Sequence, residues 1–271
     1  AGRQGATTCG EMTFGTNLVI ADDSYIERGL YGGGNYGYAL SETNIYITGG
    51  TNEGNDGTVN NVTTQGGVYG GANQQDGPGI NMYMTDGTMI GGVYGGCNTR
   101  GTIDGSVTMN INGGQVGTSS NPANIHGGGY GAATRVSQNV DITLGTTGQT
   151  TPGVIVYGDV YGGSALGYVN GETATNTYHT NVTMNKGVIN GSLYGGGLGD
   201  GSNAANVYGL VAVTVNGGTV NTTSADGSGA VYGCNNINGA PQRAVAVVIN
   251  GTDPAPGEGT YALDAVYGGG N

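Results

Sequence analysis

Positive charge is scarce in this sequence. Its 271 residues include six lysines and arginines against 18 aspartates and glutamates, so the formal net charge is −12 at pH 7. Nucleic-acid binding requires clustered basic side chains that displace counterions from phosphates, and attraction to an anionic membrane surface requires the same clusters. Because the six cations are scattered along the chain, we expect no nucleic-acid partner and no electrostatic attachment to membranes.

Other absences narrow the class of protein further. The chain has no tryptophan and one phenylalanine, only 9% of its residues are charged, and it contains no run of about 18 apolar residues. We therefore expect no membrane insertion. Since 36% of the residues are hydrophobic and many of them fall in short alternating runs of valine, isoleucine and tyrosine, the composition indicates folded β-structure and not disorder.

Glycine and tyrosine are abundant, with 61 and 18 residues. They combine in a motif of an aliphatic residue, an aromatic ring and glycine, of which the last copy is the stretch "VYGGGN". Consecutive copies are 25 to 38 residues apart, and irregular spacing around a fixed motif is typical of one structural unit with variable loops. The aromatic residues of the eight copies are Tyr31, Tyr69, Tyr94, His126, Tyr161, Tyr194, Tyr232 and Tyr267.

A second element lies before most copies of the motif. Apolar residues alternate with polar ones in it, as at Val107, Met109 and Ile111, which is the pattern of a β-strand with one buried face. Asn-Gly turns follow, because both residues tolerate positive φ. Three short strands and three turns fit into the shortest repeat of 25 residues. The sequence therefore predicts an all-β fold, a parallel β-helix (β-solenoid) of seven or eight coils with variable loops; its right-handedness is implied only by the resemblance described below.

This prediction sets the domain organisation and the size. Residues 1–29 form an N-terminal entry strand or partial coil, and residues 30–271 form a single domain of solenoid repeats with an uncapped C-terminal end. Coils stack about every 4.8 Å, which gives a rod of roughly 35–40 Å. The competing all-β folds are a run of hairpins and a propeller, but a propeller blade needs about 40–45 residues. Cys97 and Cys234 lie about four coils apart, too far for a disulfide, so we expect free thiols.

Equivalent residues of stacked coils lie above one another, so the eight motif aromatics are predicted to form a ladder of stacked rings. The aliphatic residue before each ring must point to the opposite side of the strand, and we expect the aliphatic set to be the inward one. The ladder is then a structural element. The alternative is a row of outward rings that binds sugars.

The repeats resemble a known group of proteins. The stretches "INGGQV" from Ile111 and "VNGGTV" from Val215, followed by "VYGGG", are similar to repeats of large secreted or cell-surface bacterial proteins. Those proteins are similar to the right-handed β-helices of the pectate-lyase-like superfamily. The resemblance runs from about Leu30 to the end of the chain. It implies an extracellular or surface β-helix that is adhesive or structural and has no assigned activity.

Few residues are candidates for chemistry. Calcium requires several oxygen ligands at once, and the two oxygen-rich loops are those of Asp200 and Asp56, so calcium is the one cofactor considered and otherwise none is expected. A polysaccharide lyase needs a carboxylate cluster with a basic residue, for which Arg100 and Arg135 are the candidates. A row of threonines, namely Thr108, Thr143, Thr183 and Thr214, is the basis for a further alternative, ice binding.

These observations favour a non-enzymatic, secreted or cell-surface, structural or adhesive β-solenoid. Its partner is expected to be itself, because Val266, Tyr267 and Asn271 form an open strand edge at which copies of the chain stack head to tail into a fibre. A carbohydrate-binding surface module that uses outward tyrosines and contacts glycans is the first alternative. A polysaccharide lyase or hydrolase is the second.

Overall fold

The computed structural model of the chain describes residues 14–22, 24–52, 67–220, 229–253 and 262–271. Within these ranges the secondary structure consists of β-strands without any helix. None of the described residues therefore belongs to a helix with the length and apolarity needed to span a membrane. Asp56 and Cys9 lie outside the described residues.

Twenty-four strands are present in the described residues. In chain order they are β1 (Thr16–Ile20), β2 (Tyr25–Ile26), β3 (Leu30–Tyr31), β4 (Thr43–Asn52), β5 (Val68–Tyr69), β6 (Ile80–Met89), β7 (Val93–Tyr94), β8 (Arg100–Ile103), β9 (Val107–Ile111), β10 (Gln115–Val116), β11 (Ile125–His126), β12 (Ala133–Val136), β13 (Val140–Leu144), β14 (Ile155–Val156), β15 (Val160–Tyr161), β16 (Tyr168–Val169), β17 (His179–Met184), β18 (Val188–Ile189), β19 (Leu193–Tyr194), β20 (Leu210–Val215), β21 (Thr219–Val220), β22 (Ala230–Tyr232), β23 (Val245–Ile249) and β24 (Ala265–Tyr267).

All pairings between these strands are parallel, and each strand pairs with its counterpart in the neighbouring repeat. The largest sheet has 13 strands and contains two strand positions of the repeat. The long strands form the series β1-β4-β6-β9-β13-β17-β20-β23, and the short strands β10, β14, β18 and β21 follow the second half of β6. Because β4 and β6 run through both positions, the sheet curls around a corner, and the pairing register of β4 with β6 is irregular after Ile47.

The motif strands form a second sheet of eight strands in the order β24-β22-β19-β15-β11-β7-β5-β3. Its register places the aliphatic residue of one motif beside that of the next, and each ring beside the next ring. A third sheet, β16-β12-β8, follows the motif in the middle repeats and is extended by isolated bridges from Val169 to Val207 and from Val207 to Pro241. The prediction of three strands per repeat did not include this fourth position.

The core lies between the sheets and contains the apolar residues of the alternating pattern. Val107, Met109 and Ile111 on β9 are fully buried, whereas Thr108 and Asn110 between them are partly exposed. The same alternation holds on β13, β17 and β20. Removing these apolar side chains from water is the main favourable contribution to folding, about 1.5–3 kcal/mol for each large side chain.

Glycine follows each motif ring because the repeats approach one another closely there. A Cβ atom at Gly127 would meet the carbonyl oxygen of Gly162 in the next repeat, together with side-chain atoms of Val140 and Ile142. Gly95 has the same relation to the carbonyl oxygen of Gly127. The φ angles at these positions are not positive. Close packing between repeats therefore selects glycine at this position, and backbone conformation does not.

Two N-terminal strands and two of the three cysteines lie among the described residues. β1 and β2 both pair with β4, so residues 16–26 add strands to the first complete repeat. Cys97 and Cys234 are free, as expected from their separation. Burial raises the pKa of the Cys97 thiol to about 12, so this thiol is a packing group and not a nucleophile.

Candidate functional site

The row of motif rings is the most extended arrangement of side chains in the described structure. On the motif strands from β3 to β22 the aliphatic residue points into the core and the ring lies on the opposite face. Val93, Ile125 and Val160 are fully buried in the main core cluster, as expected for the inward set. The rings stack on one another along the whole motif sheet, with interplanar angles of 2° to 11°.

The spacing of the rings follows the spacing of the strands. The seven centroid distances, from the Tyr31–Tyr69 pair to the Tyr232–Tyr267 pair, are 5.1, 4.9, 5.1, 4.6, 4.9, 4.8 and 4.9 Å. Parallel strands are about 4.8 Å apart, so identical rings at one position of the repeat stack without a change in backbone spacing. Offset stacking of this kind stabilises aromatic pairs by about 0.5–1.5 kcal/mol beyond burial.

Residues that follow the motif cover the middle of the row. Tyr130 meets Tyr94 edge-on at 5.4 Å, and Ala165 and Leu166 belong to the same apolar cluster as Tyr69 and Tyr94. Tyr69 and Tyr161 are each only 1% exposed. Burial raises the pKa of Tyr69, Tyr94 and Tyr161, and it raises that of Tyr194 to about 12. The middle of the row is therefore a second, aromatic core.

The stacking of the motif rings leaves few ring faces on which a sugar could bind. A sugar ring that stacks on an aromatic side chain needs a free ring face, but each inner ring of the row has another ring on both faces. Only Tyr31 and Tyr267, at the two ends, have one face that is not stacked on another ring of the row. The row presents no continuous aromatic platform to a polysaccharide.

His126 replaces tyrosine at one position of the row. Its ring lies 5.1 Å from Tyr94 and 4.6 Å from Tyr161. The side chain is buried, and its Nδ1 atom has no hydrogen-bond partner. Burial lowers the pKa of His126 to about 3, so the imidazole is neutral at physiological pH. This histidine is a ring of the stack, and no base or nucleophile of the described residues is hydrogen-bonded to it.

Hydrogen bonds hold the phenol groups of several rings, among them Tyr161 and Tyr31. The Tyr161 hydroxyl donates to Asp159 Oδ2 at 2.7 Å and accepts from Asn236 Nδ2 at 2.9 Å. The Tyr31 hydroxyl accepts from Asn98 Nδ2 at 3.1 Å. Both asparagines lie four residues after a motif ring, two repeats further along the chain. The segments after the motif, through Asn98 and Asn236, therefore hold the ring hydroxyls of earlier repeats by hydrogen bonds.

Asparagine side chains form rows of their own between adjacent repeats. Among the described residues, seven hydrogen bonds join an Asn Nδ2 atom of one repeat to an Asn Oδ1 atom of the neighbouring repeat, at 2.6 to 3.1 Å. The donor and acceptor pairs are Asn44–Asn17, Asn81–Asn44, Asn73–Asn35, Asn98–Asn73, Asn216–Asn185, Asn250–Asn216 and Asn271–Asn236. In each pair the donor belongs to the later repeat. The amides therefore share one direction along the stack.

The predicted assembly edge lies at one end of the motif sheet. β24 pairs only with β22 among the described strands, which leaves one side of its backbone open. Val266 is 46% exposed and Tyr267 49%, whereas Val231 in the preceding repeat is fully buried. The Asn271 amide donates to Asn236 Oδ1 at 3.1 Å and its Oδ1 accepts from the Tyr232 hydroxyl at 3.4 Å.

The candidate calcium residue Asp200 has its carboxylate occupied by its own turn. Its Oδ1 accepts from the backbone amides of Ser202 and Asn203, and the Asn203 side chain donates to both oxygens. These hydrogen bonds lower the pKa of Asp200. No group of three or more histidine, cysteine or acidic residues suited to a metal ion occurs in the described part of the chain. The other candidate, Asp56, lies outside it.

The candidate arginines do not meet a cluster of carboxylates. Arg135 pairs with Glu172 at 3.0 Å and lies over the ring of Tyr168, whose hydroxyl also donates to Glu172. Arg100 lies on the neighbouring strand β8 and is exposed. A polar groove of about 570 Å³ does contain two carboxylates, Asp22 and Asp86, but neither arginine lines it. The residues proposed for a lyase are therefore not brought together.

The outer face of the long strands differs from the threonine row read from the sequence. Thr143, Thr183 and Thr214 are adjacent, but Thr108 pairs with Asp141, and Asn110 takes the position beside Thr143. The row then continues to Tyr83 and Tyr46, whose stacked rings are each 37% exposed. Sequence reasoning also missed the pair of His179 and Asp141, 3.1 Å apart on this face, because nothing in the sequence aligns residues 38 positions apart.

The chain was compared with protein-family models, with curated proteins and with solved structures. None of the three comparisons gives a match.

Proposed function

We propose that this protein is a non-enzymatic structural or adhesive element of the secreted or cell-surface class, that its repeats wind into a right-handed parallel β-helix, and that copies stack end to end into a fibre. The observation that carries the proposal is the parallel pairing of equivalent strands in eight consecutive repeats. A chain that meets its own next repeat at every strand position is built to extend along one axis.

The side chains support a structural role over a catalytic one. Three sets of positions that recur from repeat to repeat are used for packing or for bonds between repeats: the apolar core, the stacked rings and the asparagine rows. Among the described residues, Arg135 pairs with the single carboxylate of Glu172, and neither Arg100 nor Arg135 lines the groove that contains Asp22 and Asp86. The low content of flexible charged side chains suits a durable extracellular material.

Electron microscopy of the purified chain tests the proposal directly. We expect rods that associate into uniform filaments with an axial period of about 35–40 Å, and fibre diffraction with a reflection at about 4.8 Å along the fibre axis. A reflection at that spacing perpendicular to the rod axis would overturn the β-helix. Particles that stay single at every concentration would overturn the assembly.

A surface module that binds glycans is the second candidate, and the exposed pair of Tyr46 and Tyr83 is the observation that favours it. These rings lie beside the amides of Asn44 and Asn81 on the outer face of the large sheet. A glycan array is the test. Binding that is lost in Tyr46→Ala and Tyr83→Ala but kept in Tyr161→Phe would establish it, and an array without signal for the native chain would remove it.

A further inference from the structure

The first and the last copies of the motif share a sequence that the other copies lack. Tyr31–Asn35 and Tyr267–Asn271 both read Tyr-Gly-Gly-Gly-Asn, whereas the six copies between them differ at one or more of the last three positions. β3 and β24, which contain these two tyrosines, are the two end strands of the motif sheet. Each of these strands has one edge that pairs with no other described strand, and the two edges present the same side chains at the same positions.

The two asparagines also have complementary hydrogen-bonding groups. Asn35 Oδ1 accepts from Asn73, and no described group accepts from Asn35 Nδ2. At the other end, Asn271 Nδ2 donates to Asn236, and Asn271 Oδ1 accepts from the Tyr232 hydroxyl at 3.4 Å, which leaves its second lone pair for a further donor. The rows run in one direction, from the donor in a later repeat to the acceptor in an earlier one. An Asn35 amide placed after Asn271 would therefore continue the row.

We infer that the joint between copies is formed by Tyr267 and Asn271 of one chain on Tyr31 and Asn35 of the next. The partner is a second copy of this chain in the same orientation. The Tyr31 ring stacks on the free face of Tyr267, and the Asn35 amide donates to Asn271 Oδ1. This inference rests on the proposed end-to-end assembly and specifies its contact.

In the same joint, the last long strand of one copy, β23, would lie beside the first long strand of the next copy, β1. On the outer face of the long strands, the pairing register places equivalent residues in one row. Val19 on β1 is the first residue of this row and Val248 on β23 is the last. Both are large apolar side chains at the open ends of their row, 60% and 44% exposed. Stacking the next copy on β23 covers them together, which adds apolar burial to the ring and amide contacts. A reversed copy would place amide donor against donor where two N-terminal ends meet, or acceptor against acceptor where two C-terminal ends meet.

One matched pair of substitutions tests the amide contact. Asn35→Asp keeps the acceptor that Asn73 uses inside the chain but removes the donor that the joint requires, and it places a carboxylate against Asn271 Oδ1. Asn17→Asp is the control, because Asn17 is also the first acceptor of a row in the same repeat, while the residue at its position in the last repeat is Ala246, which has no amide. Both variants add the same charge.

We expect Asn35→Asp to raise the critical concentration for filaments at least about tenfold, the loss typical of one buried hydrogen bond with a charge left unpaired. Asn17→Asp should change it less than about twofold. Equal effects in the two variants would mean that added charge alone acts, and this result would overturn the joint. Filaments of the native chain that Asn35→Asp leaves unchanged would also overturn it while the proposed assembly stands. A native chain without filaments would remove both.

A disulfide provides the direct geometric test. In a chain with Cys9→Ser and Cys234→Ser, the pair Asn35→Cys and Asn271→Cys should give covalent multimers on oxidation, because adjacent parallel strands bring Cα atoms within the range a disulfide needs. Each single substitution should give no multimers. The pair Asn35→Cys and Asn73→Cys is the positive control and should close within one chain. Closure in the control without multimers in the test pair would contradict the joint.

Discussion

The middle and the last repeat of this protein have the same motif but opposite exposure. Tyr161 and Val231 are buried between neighbouring repeats, whereas Tyr267 and Val266 are about half exposed on the last strand of the sheet. The residue four positions after the ring differs as well. It is Tyr130, Ala165 or Leu198 in the middle and asparagine in the first three and last two repeats.

This difference shows that a motif residue is buried only where a neighbouring repeat lies on both sides of it. One repeat does not bury its own motif, because the inward residue and the ring are covered mainly by the equivalent residues before and after it. Middle repeats consequently tolerate apolar and aromatic side chains after the ring. The outer repeats have asparagine there, and the amides of Asn73, Asn98 and Asn271 donate to the preceding repeat.

The largest contrast between middle and end is expected for the motif glycine. Gly127→Ala places a Cβ atom against the Gly162 carbonyl and Val140, so we expect a loss of more than about 4 kcal/mol in the free energy of unfolding. In Gly268→Ala the new Cβ atom has no atom within 4 Å, and the loss should stay below about 0.5 kcal/mol. Urea unfolding of dilute chain measures both. Equal losses would refute the close-packing explanation.

Removing a ring should be the next largest effect. Tyr161→Ala deletes a buried aromatic stacked on both faces and leaves Asp159 without its phenol donor, so we expect a loss of about 3–5 kcal/mol. Tyr267→Ala deletes a half-exposed ring stacked on one face and should cost about 1 kcal/mol. Thermal unfolding below the assembly concentration compares them. A similar drop in Tm for both would contradict the account, because Tyr161 exceeds Tyr267 both in burial and in the number of stacked neighbours.

Acid should weaken the middle of the row through His126. Its pKa is about 3 in the folded chain and near 6.5 when unfolded. The unfolded chain therefore binds the proton first, and the stabilisation that is complete above pH 6.5 is lost as the pH falls. The loss is about 1.4 kcal/mol per pH unit, or roughly 2–3 kcal/mol at pH 4.5.

His126→Phe keeps a ring in the stack and removes this titration. The difference in unfolding free energy between the native chain and the variant, measured from pH 7.5 to 4.5, isolates the histidine from the carboxylates. A difference that does not change with pH would show that His126 is protonated in the folded chain or is not enclosed.

The smallest contrast is expected in the asparagine row of the turns. Asn216 donates to Asn185 and accepts from Asn250, whereas Asn250 only donates. We expect Asn216→Ala to lower the free energy of unfolding by about 1–2 kcal/mol, a small loss because the side chain is exposed. Asn250→Ala should lower it by about half as much, because one hydrogen bond is lost instead of two. Chemical unfolding resolves the difference. A larger loss for Asn250→Ala would contradict the additive account of the row.

Several features could be predicted because they depend on local pattern alone. The alternation at Val107, Met109 and Ile111 predicted the buried face of the strand, and the repeated motif predicted rings at one position of the repeat. The register between repeats was less accessible. Thr108 was assigned to the wrong row because a loop of unknown length separates each pair of strands, and a shift of two residues keeps the same alternation.

The third sheet and the cover over the rings were not predicted for a related reason. Arg135, Tyr168 and Val169 lie in stretches too short and too mixed to show a period. Their positions depend on the preceding repeat, which supplies the pairing partner. The same holds for the contact between Asn236 and Tyr161, which joins residues 75 positions apart.

The sequence by itself determined that this chain is β-structured, repetitive, acidic and built around a ring at one position of each repeat, because composition and period two act within a few residues. Only the tertiary structure decided which residues stack, which amides face each other and which tyrosines are enclosed. Those outcomes depend on register between distant segments. They also depend on whether a further repeat lies above and below, which no local pattern specifies.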